Sequence, residues 1–329
     1  MSFEGLLPQP PYPWLATVWQ GFITRIEQGR LPHALLIVGQ SGLGCVDLAR
    51  AMAQYLLCGA PAPTGSCGKC RACLLLSADA HPDFLWIKPE EGAQSIKIAQ
   101  IRNMMDFTNN TAQQGGRKLI IISPADAMNA NSANALLKSL EEPSGNCVYL
   151  LVTEQPAFLL ATIRSRCSRI QVSPPVEHHA VSWLERNQVS DAQALLRAAG
   201  GRPLQVMDWL THDLWGQRRQ LEQDLRQLLA GGSFLDCAKT LVGYGPLWVI
   251  EQLQAWLINA VRTPYTRRSG EAADEFAWFL ADADKRRLMH FYEALLKKKA
   301  LLLSTANPNV QMLIDEIMME MQDLYRKKD

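Results

Sequence analysis

Five short runs dominated by consecutive apolar residues punctuate the first half of the chain: His33–Val38, Asp83–Ile87, Lys118–Ile122, Cys147–Val152 and Arg169–Val172. Their apolar positions are continuous and do not alternate. That pattern belongs to strands buried on both faces, so it predicts a mostly parallel sheet covered by helices. Between the runs, helical periodicity appears near Val46–Leu57, Ile98–Phe107, Asn131–Leu140 and Ala157–Ile163, and a first helix around Trp14–Gln28 precedes the sheet. Strands alternating with helices predict an α/β domain.

The strand pattern stops at Pro174 and Pro175. Ala180–Gln188, Asp191–Gly200 and Arg202–Leu210 read as three short helices forming a small helical domain. Beyond Asp213 the helical stretches lengthen, with breaks at Ala230–Phe234, Gly243–Pro246, Arg262–Gly270 and Thr305–Asn309. Lys285–Ser304 is the longest amphipathic run. The expected division is therefore an α/β domain over 1–172, a small helical domain over 173–211 and a helical bundle over 212–329.

Length and charge narrow the possible functions. A chain of 329 residues exceeds one ordinary core. A formal net charge of +1 gives no global electrostatic reason to bind nucleic acid or an anionic membrane, so any DNA contact would be local. The first residues lack a basic segment and are broken by prolines, and no apolar run approaches the roughly 20 residues that span a bilayer. A soluble, cytoplasmic protein with no membrane partner is expected.

The segment Leu35–Cys58 has the layout of a phosphate-binding loop: a buried strand, then Gly39, Gly42 and Gly44, then a helix. Where G-x4-G-K-[ST] requires lysine and a hydroxyl, the chain has Cys45 and Val46. Neither neutralises phosphate charge nor ligates magnesium. The second half of such a site is an acidic pair after a hydrophobic strand, yet Lys118–Ile122 is followed by Ser123 and Pro124, with Asp126 three residues past the first acidic position. Two distant segments have lost complementary parts of one site. The glycines alone would also suit a plain strand-to-helix turn, but the two losses together favour a vestigial nucleotide site.

Four of the eight cysteines follow C-x8-C-x2-C-x2-C at Cys58, Cys67, Cys70 and Cys73. Four thiolates complete a tetrahedral zinc site with no open position, so the metal would be structural. Redox chemistry at Cys67 and Cys70 and a DNA-binding zinc ribbon are the alternatives, the latter with only Lys69 and Arg71 as a basic patch. Arginines 164, 166 and 169 follow the expected helix Ala157–Ile163; solvated or salt-bridged arginines at a helix end are the plain reading. In Asn131–Leu140, Leu136, Leu137 and Leu140 form the apolar stripe, while Lys138, Glu141 and Glu142 lie mainly on the other side, either solvated or at a subunit contact.

Ser132–Cys167 resembles the corresponding block of bacterial clamp-loader ATPases of the AAA+ family, and Leu31–Gly39 and Cys67–Cys73 match the same family. The resemblance implies an AAA+ type parallel-sheet domain, a small helical lid and a C-terminal helical collar for oligomerisation. With both nucleotide-binding halves lost, it implies a rigid, stator-like member of the ring that binds no ATP itself. The implied partners are gamma or tau ATPase subunits and the delta subunit, with the sliding clamp and primer-template DNA reached through the complex. Ser165-Arg166-Cys167 matches the family triplet whose arginine projects into a neighbour's ATP site, with Ser165 and Cys167 supporting it. Arg202 is followed by Pro203 where related ATPases carry a sensing arginine, which implies a structural role for Arg202. An active ATPase subunit and a zinc-dependent nucleic-acid-binding module are the competing functions; the replaced motif residues disfavour the first, the near-neutral charge the second.

Overall fold

In the computed structural model, residues 7, 9–62, 64–114, 116–229, 234–266, 284–302 and 308–325 are described. The chain forms two compact units, 1–206 and 207–329. The first contains helix α1 (Ala16–Glu27), strand β1 (Ala34–Val38), α2 (Cys45–Leu57), α3 (Arg71–Ser77), β2 (Phe84–Ile87), α4 (Ile98–Asn109), β3 (Lys118–Ile122), α5 (Ala130–Glu141), β4 (Cys147–Thr153), α6 (Ala161–Arg166), β5 (Ser168–Gln171), α7 (Glu177–Arg186) and α8 (Ala192–Ala198). Helix α9 (Pro203–Thr211) begins in it.

All pairings between these strands are parallel, and the sheet order is β2-β3-β4-β1-β5. This is the parallel α/β sheet that the uninterrupted apolar runs predict. Every residue of β1, β3 and β4 is buried, whereas the edge strands β2 and β5 are partly exposed. The period of two survives inside the apolar runs as a choice of face. Leu35, Ile37, Leu119, Ile121, Leu150 and Val152 pack with Trp19, Phe22 and Ile23 of α1 and Leu48 and Met52 of α2. Their neighbours Leu36, Val38, Ile120, Ile122, Tyr149 and Leu151 pack with Ile101 and Met104 of α4, Leu136 and Leu140 of α5 and Ile163 of α6.

Two local expectations change. The helix expected over Ala157–Ile163 is split: a short 3-10 turn covers Pro156–Phe158, Leu159 and Leu160 are extended, and α6 starts at Ala161. Leu159 is buried with Leu136 and Ile163, so the chain straightens to place that side chain in the core. Arg164 and Arg166 consequently lie inside the last turn of α6 and not after it. Helix α3, seven residues long, is an addition to the expected set.

The second unit is helical: α10 (Leu214–Leu229), α11 (Phe234–Tyr244), α12 (Pro246–Thr266), α13 (Lys285–Leu302) and α14 (Val310–Tyr325). Leu221 and Leu225, Leu241, Leu253 and Trp256, Phe291 and Leu295, and Ile314, Ile317 and Met321 bring apolar stripes from all five helices into one core. Arg218 is 1 % exposed. It donates to Gln252 Oε1 at 2.5 Å and lies 4.8 Å and 5.2 Å from the Trp209 and Trp256 ring centroids. The break at Gly243–Pro246 is present, with Gly245 at φ +92 and Pro246 opening α12. The expected break at Arg262 is carried through by α12 as far as Thr266, Pro264 removing a donor without ending the helix. The remainder of that break, residues 230–233 of the Ala230–Phe234 break and residues 305–307 of the Thr305–Asn309 break lie outside the described residues. Among the described residues, no helix is long and apolar enough to cross a membrane.

Leu150 is fully buried on the central strand β4, opposite Leu35 of β1 and Ile121 of β3. Leu150→Ala is expected to destabilise the sheet unit by about 2–5 kcal/mol in denaturant unfolding followed by circular dichroism. Exposed Gln171→Ala should stay within about 0.5 kcal/mol. Equal effects would contradict the two-faced burial.

Candidate functional site: a covered loop, a surface arginine and four cysteines

The glycine loop leaves the C-terminal end of β1, where Gly39 N–H donates to the Thr153 carbonyl at 3.2 Å. Gly42 and Gly44 have φ of +83° and +85°, a left-handed conformation that only glycine adopts at little cost, and Gly44 caps α2. Other segments of the chain pack against Gly42 and Gly44, while Gln40 and Ser41 stay exposed. A Cβ on Gly44 would meet the Tyr12 ring at 2.6 Å, and one on Gly42 would meet Gln205 at 2.9 Å. Leu204 N–H donates to the Gly42 carbonyl at 3.1 Å, and Arg202 Nη1 donates to the Ser41 carbonyl at 3.4 Å and Nε to that of Ala199 at 2.7 Å.

An aromatic group holds the segment before α1 in this place. Tyr12 and Trp14 stack at 5.0 Å, and Trp183 of α7 meets both edge-on at 5.9 Å and 5.1 Å. Trp14 Nε1 donates to the Leu43 carbonyl at 2.9 Å, and the Tyr12 hydroxyl donates to Asp47 Oδ2 at 2.7 Å. Burial first, then the Asp47 hydrogen bond and charge, push the Tyr12 phenol well above its usual range. Cys45 is 7 % exposed and turns back into the loop, so a Cβ on Gly39 would stand 2.6 Å from its Sγ. Burial, reinforced by the charge of Glu154, pushes this thiol up to about 12. A neutral, buried sulfur therefore stands at the lysine position of the motif.

At the end of β3, Ser123 is buried and its N–H donates to the Ile87 carbonyl at 3.0 Å. Asp126, in a 3-10 turn, accepts the Thr153 hydroxyl, so the nearest carboxylate is engaged with the end of β4.

Arg166 is the last residue of α6, and its side chain is 34 % exposed. Nη1 donates to the Thr162 carbonyl at 2.9 Å, and Nη2 pairs with Glu141 Oε1 of α5 at 2.5 Å. Ser165 Oγ donates to the Thr162 carbonyl at 3.0 Å, while Cys167 is buried, its thiol pushed up to about 11 by burial. Within the triplet only the arginine offers charge at the surface. Arg169 bonds Gln171 Oε1 at 2.6 Å on β5.

Cys58, Cys67, Cys70 and Cys73 converge, with all four Sγ atoms within 4.8 Å of one another. Backbone N–H groups point at three of the sulfurs: Cys67 N–H at Cys58 Sγ (3.2 Å), Cys70 N–H at Cys67 Sγ (3.3 Å), and Gly59 and Cys73 N–H at Cys70 Sγ (3.4 Å and 3.5 Å). Gly68 turns at φ +71, and Cys70 caps α3 through the Cys73 N–H. Burial raises the Cys70 thiol, but the hydrogen bonds from Cys73, Gly59 and the neighbouring thiols outweigh it and bring it down to about 6. The Cys67 thiol is lowered by the Lys69 and Cys70 N–H groups, and burial raises Cys58 and Cys73. Convergent sulfurs within reach of one another, with N–H donors that favour thiolate, fit a metal ion.

A family model described as DNA polymerase III, delta subunit, matches residues 14–176. A DNA polymerase III subunit delta' of Pseudomonas aeruginosa is 41% identical over 222 residues, 66% of this chain and 67% of that protein. The chain belongs to the DNA polymerase III delta-prime family. The Escherichia coli delta-prime protein is 37% identical over 68% of each chain, and that of Yersinia pestis 32% identical over 80% of this chain and 79% of its own. A solved DNA polymerase III gamma subunit-related protein of Thermotoga maritima overlays 92% of this chain and 98% of its own at 19% identity and a TM-score of 0.48.

In this delta-prime family member the four cysteines come together, while the loop glycines and Arg166 lie at separate places. Three features escape sequence reasoning: Tyr12 and Trp14 over the loop, Glu141 as the partner of Arg166, and the cap of α3 by a thiol. The aromatic pair flanking Pro13 was a visible signal for the first; the second crosses 25 positions of sequence and has none.

Restoring the motif by Cys45→Lys with Val46→Thr is expected not to create micromolar Mg-ATP binding in calorimetry. The new ammonium would enter a buried position, and Tyr12 would still pack against Gly44. Micromolar binding would mean that the two replaced side chains alone close the site.

Proposed function

We propose that the chain is the stator-like subunit of a DNA polymerase III clamp loader: it binds no ATP and supplies Arg166 in trans to the ATP site of an adjacent subunit. The observation that carries this reading is the contrast between two places. The loop that would hold ATP has Gly42 and Gly44 packed against other segments and a neutral thiol for its lysine. Meanwhile Arg166 stands partly exposed at the end of α6. A guanidinium has five N–H donors in a planar fork and a permanent charge, which suits the spreading negative charge of a transferring γ-phosphoryl group. Its partners on this reading are gamma or tau ATPase subunits and the delta subunit, and the complex places the sliding clamp on primer-template DNA. Residues 173–211 serve as the lid and 212–329 as the collar that joins the ring.

The cysteine cluster holds structural zinc on this reading. Four thiolates saturate a tetrahedral ion, so the metal staples the chain between α2 and α3 and leaves no position for substrate. Zn–S bonds of about 2.3 Å place the sulfurs about 3.8 Å apart, within the spread the sulfurs already have. Elemental analysis of protein purified without chelator should find one zinc per chain, lost or weakened in Cys70→Ser with the α/β core still folded. Metal-free wild type, or unchanged zinc in the variant, would overturn the assignment.

Arg166→Ala should fold, retain zinc and assemble with the partner subunits, yet slow hydrolysis at the adjacent site. Arginine fingers contribute about 10³ to 10⁵ in rate at their own site. The loss in bulk ATPase should be smaller, because other sites keep their own fingers. Arg166→Lys should rescue poorly, since it keeps the charge and loses the fork. Single-site turnover in the reconstituted complex decides: wild-type hydrolysis at the adjacent site with Arg166→Ala present returns this arginine to a helix-end role.

A further inference from the structure

Resting on the reading of Arg166 as a finger, we propose that Glu141 is its positioning residue: the carboxylate at the end of α5 fixes the guanidinium before the neighbouring subunit arrives. The two acceptors that hold Arg166 come from different elements. Glu141 Oε1 takes Nη2 at 2.5 Å from α5, and the Thr162 carbonyl takes Nη1 at 2.9 Å from within α6. Two contacts in two directions fix both the place and the plane of the guanidinium, which one contact would not do.

The hold is compatible with service elsewhere. Of five N–H donors, these two contacts use one on each terminal nitrogen, so each terminal nitrogen keeps one N–H for an incoming anion. The pair is also weak enough to adjust. Both side chains are partly exposed, at 34% and 48%, and an exposed pair of this kind contributes little to stability. Its effect lies in ordering. A long side chain of three methylenes and a guanidinium loses rotamer freedom when it docks, and one already held in place loses less at that moment. The α5–α6 packing that brings the two residues together rests on Leu136, Leu140 and Ile163, buried side chains of one core, so the helix end that carries the acceptor is fixed.

The test compares Glu141→Gln, Arg166→Ala and the double variant in the reconstituted complex, reading single-site turnover, the KM for ATP and assembly. Glu141→Gln is expected to lower kcat at the adjacent site about three- to ten-fold, with KM and assembly unchanged. The double variant should be no slower than Arg166→Ala, because the carboxylate acts only through the guanidinium. Glu141→Asp, which keeps the charge on a shorter stem, should recover part of the loss. If Arg166→Ala slows turnover while Glu141→Gln leaves it unchanged, raises it, or adds a further loss in the double variant, the positioning role is overturned and the finger stands. If Arg166→Ala has no effect, the finger fails and the role of Glu141 falls with it.

Discussion

Burial of the parallel sheet on both faces constrains everything else in the first unit. Because β1, β3 and β4 are parallel neighbours, their C-terminal ends emerge on one edge, and every return crossing has to run over a face of the sheet. That edge is where open α/β sheets carry their ligands. Here it brings together the Gly39–Gly44 loop, the Ser123–Asp126 turn and Thr153, segments well separated in the chain. The apolar side chains that hold this arrangement, such as Leu36, Ile120 and Leu151, lie in the strands, and Cys45 and Val46 join the apolar packing on the other face of the sheet. On the proposed reading, Cys45, Val46, Ser123 and Pro124 stand where a nucleotide site would carry its chemistry, and the architecture is intact without it.

The replacements also follow from electrostatics. A lysine in a phosphate loop is tolerable because phosphate neutralises it. On the proposed reading the chain never holds nucleotide, and the same ammonium in a buried place would then lack that partner, at a cost of several kcal/mol. A thiol held neutral by burial carries no such penalty. The covering segment acts in the same direction: Tyr12 and Trp14 fill apolar space over Gly44 and satisfy Asp47 and the Leu43 carbonyl with their polar ends. On that reading, a thiol at the lysine position and a packed Gly44 are mutually consistent.

The strands were legible because burial on both faces writes an uninterrupted apolar run, and the four cysteines because thiolate ligands require close spacing. Other features follow from tertiary contacts that leave little local trace. The interruption before α6 exists because Leu159 has to reach the core, and apolar periodicity through Ala157–Ile163 looks helical whether or not the chain straightens there. Helix α3 is short and is capped by the sulfur of Cys70, a residue whose spacing points to a candidate metal site and gives no sign of the cap. Glu141 and Arg166 each read as ordinary surface charges at helix ends; only the packing of α5 against α6 makes them a pair. Charge partners between helices are set by the core beneath them, and the residues carrying the charge contain no record of it.

On the proposed reading, one guanidinium has two very different values. Paired with Glu141 on an exposed surface it contributes about 0–1 kcal/mol, because water screens both charges and competes for both sets of hydrogen bonds. At a neighbour's γ-phosphate, a rate effect of about 10³ to 10⁵ corresponds to about 4–7 kcal/mol of transition-state stabilisation. The side chain is the same in both places; the exclusion of water and the concentration of opposing charge differ. Hydrolysis then depends on whether an interface has closed around Arg166, and a chain that holds no nucleotide controls when its neighbour's nucleotide is consumed. The inner pair suits that task by being weak: it keeps the arginine aimed without competing with the phosphate for it.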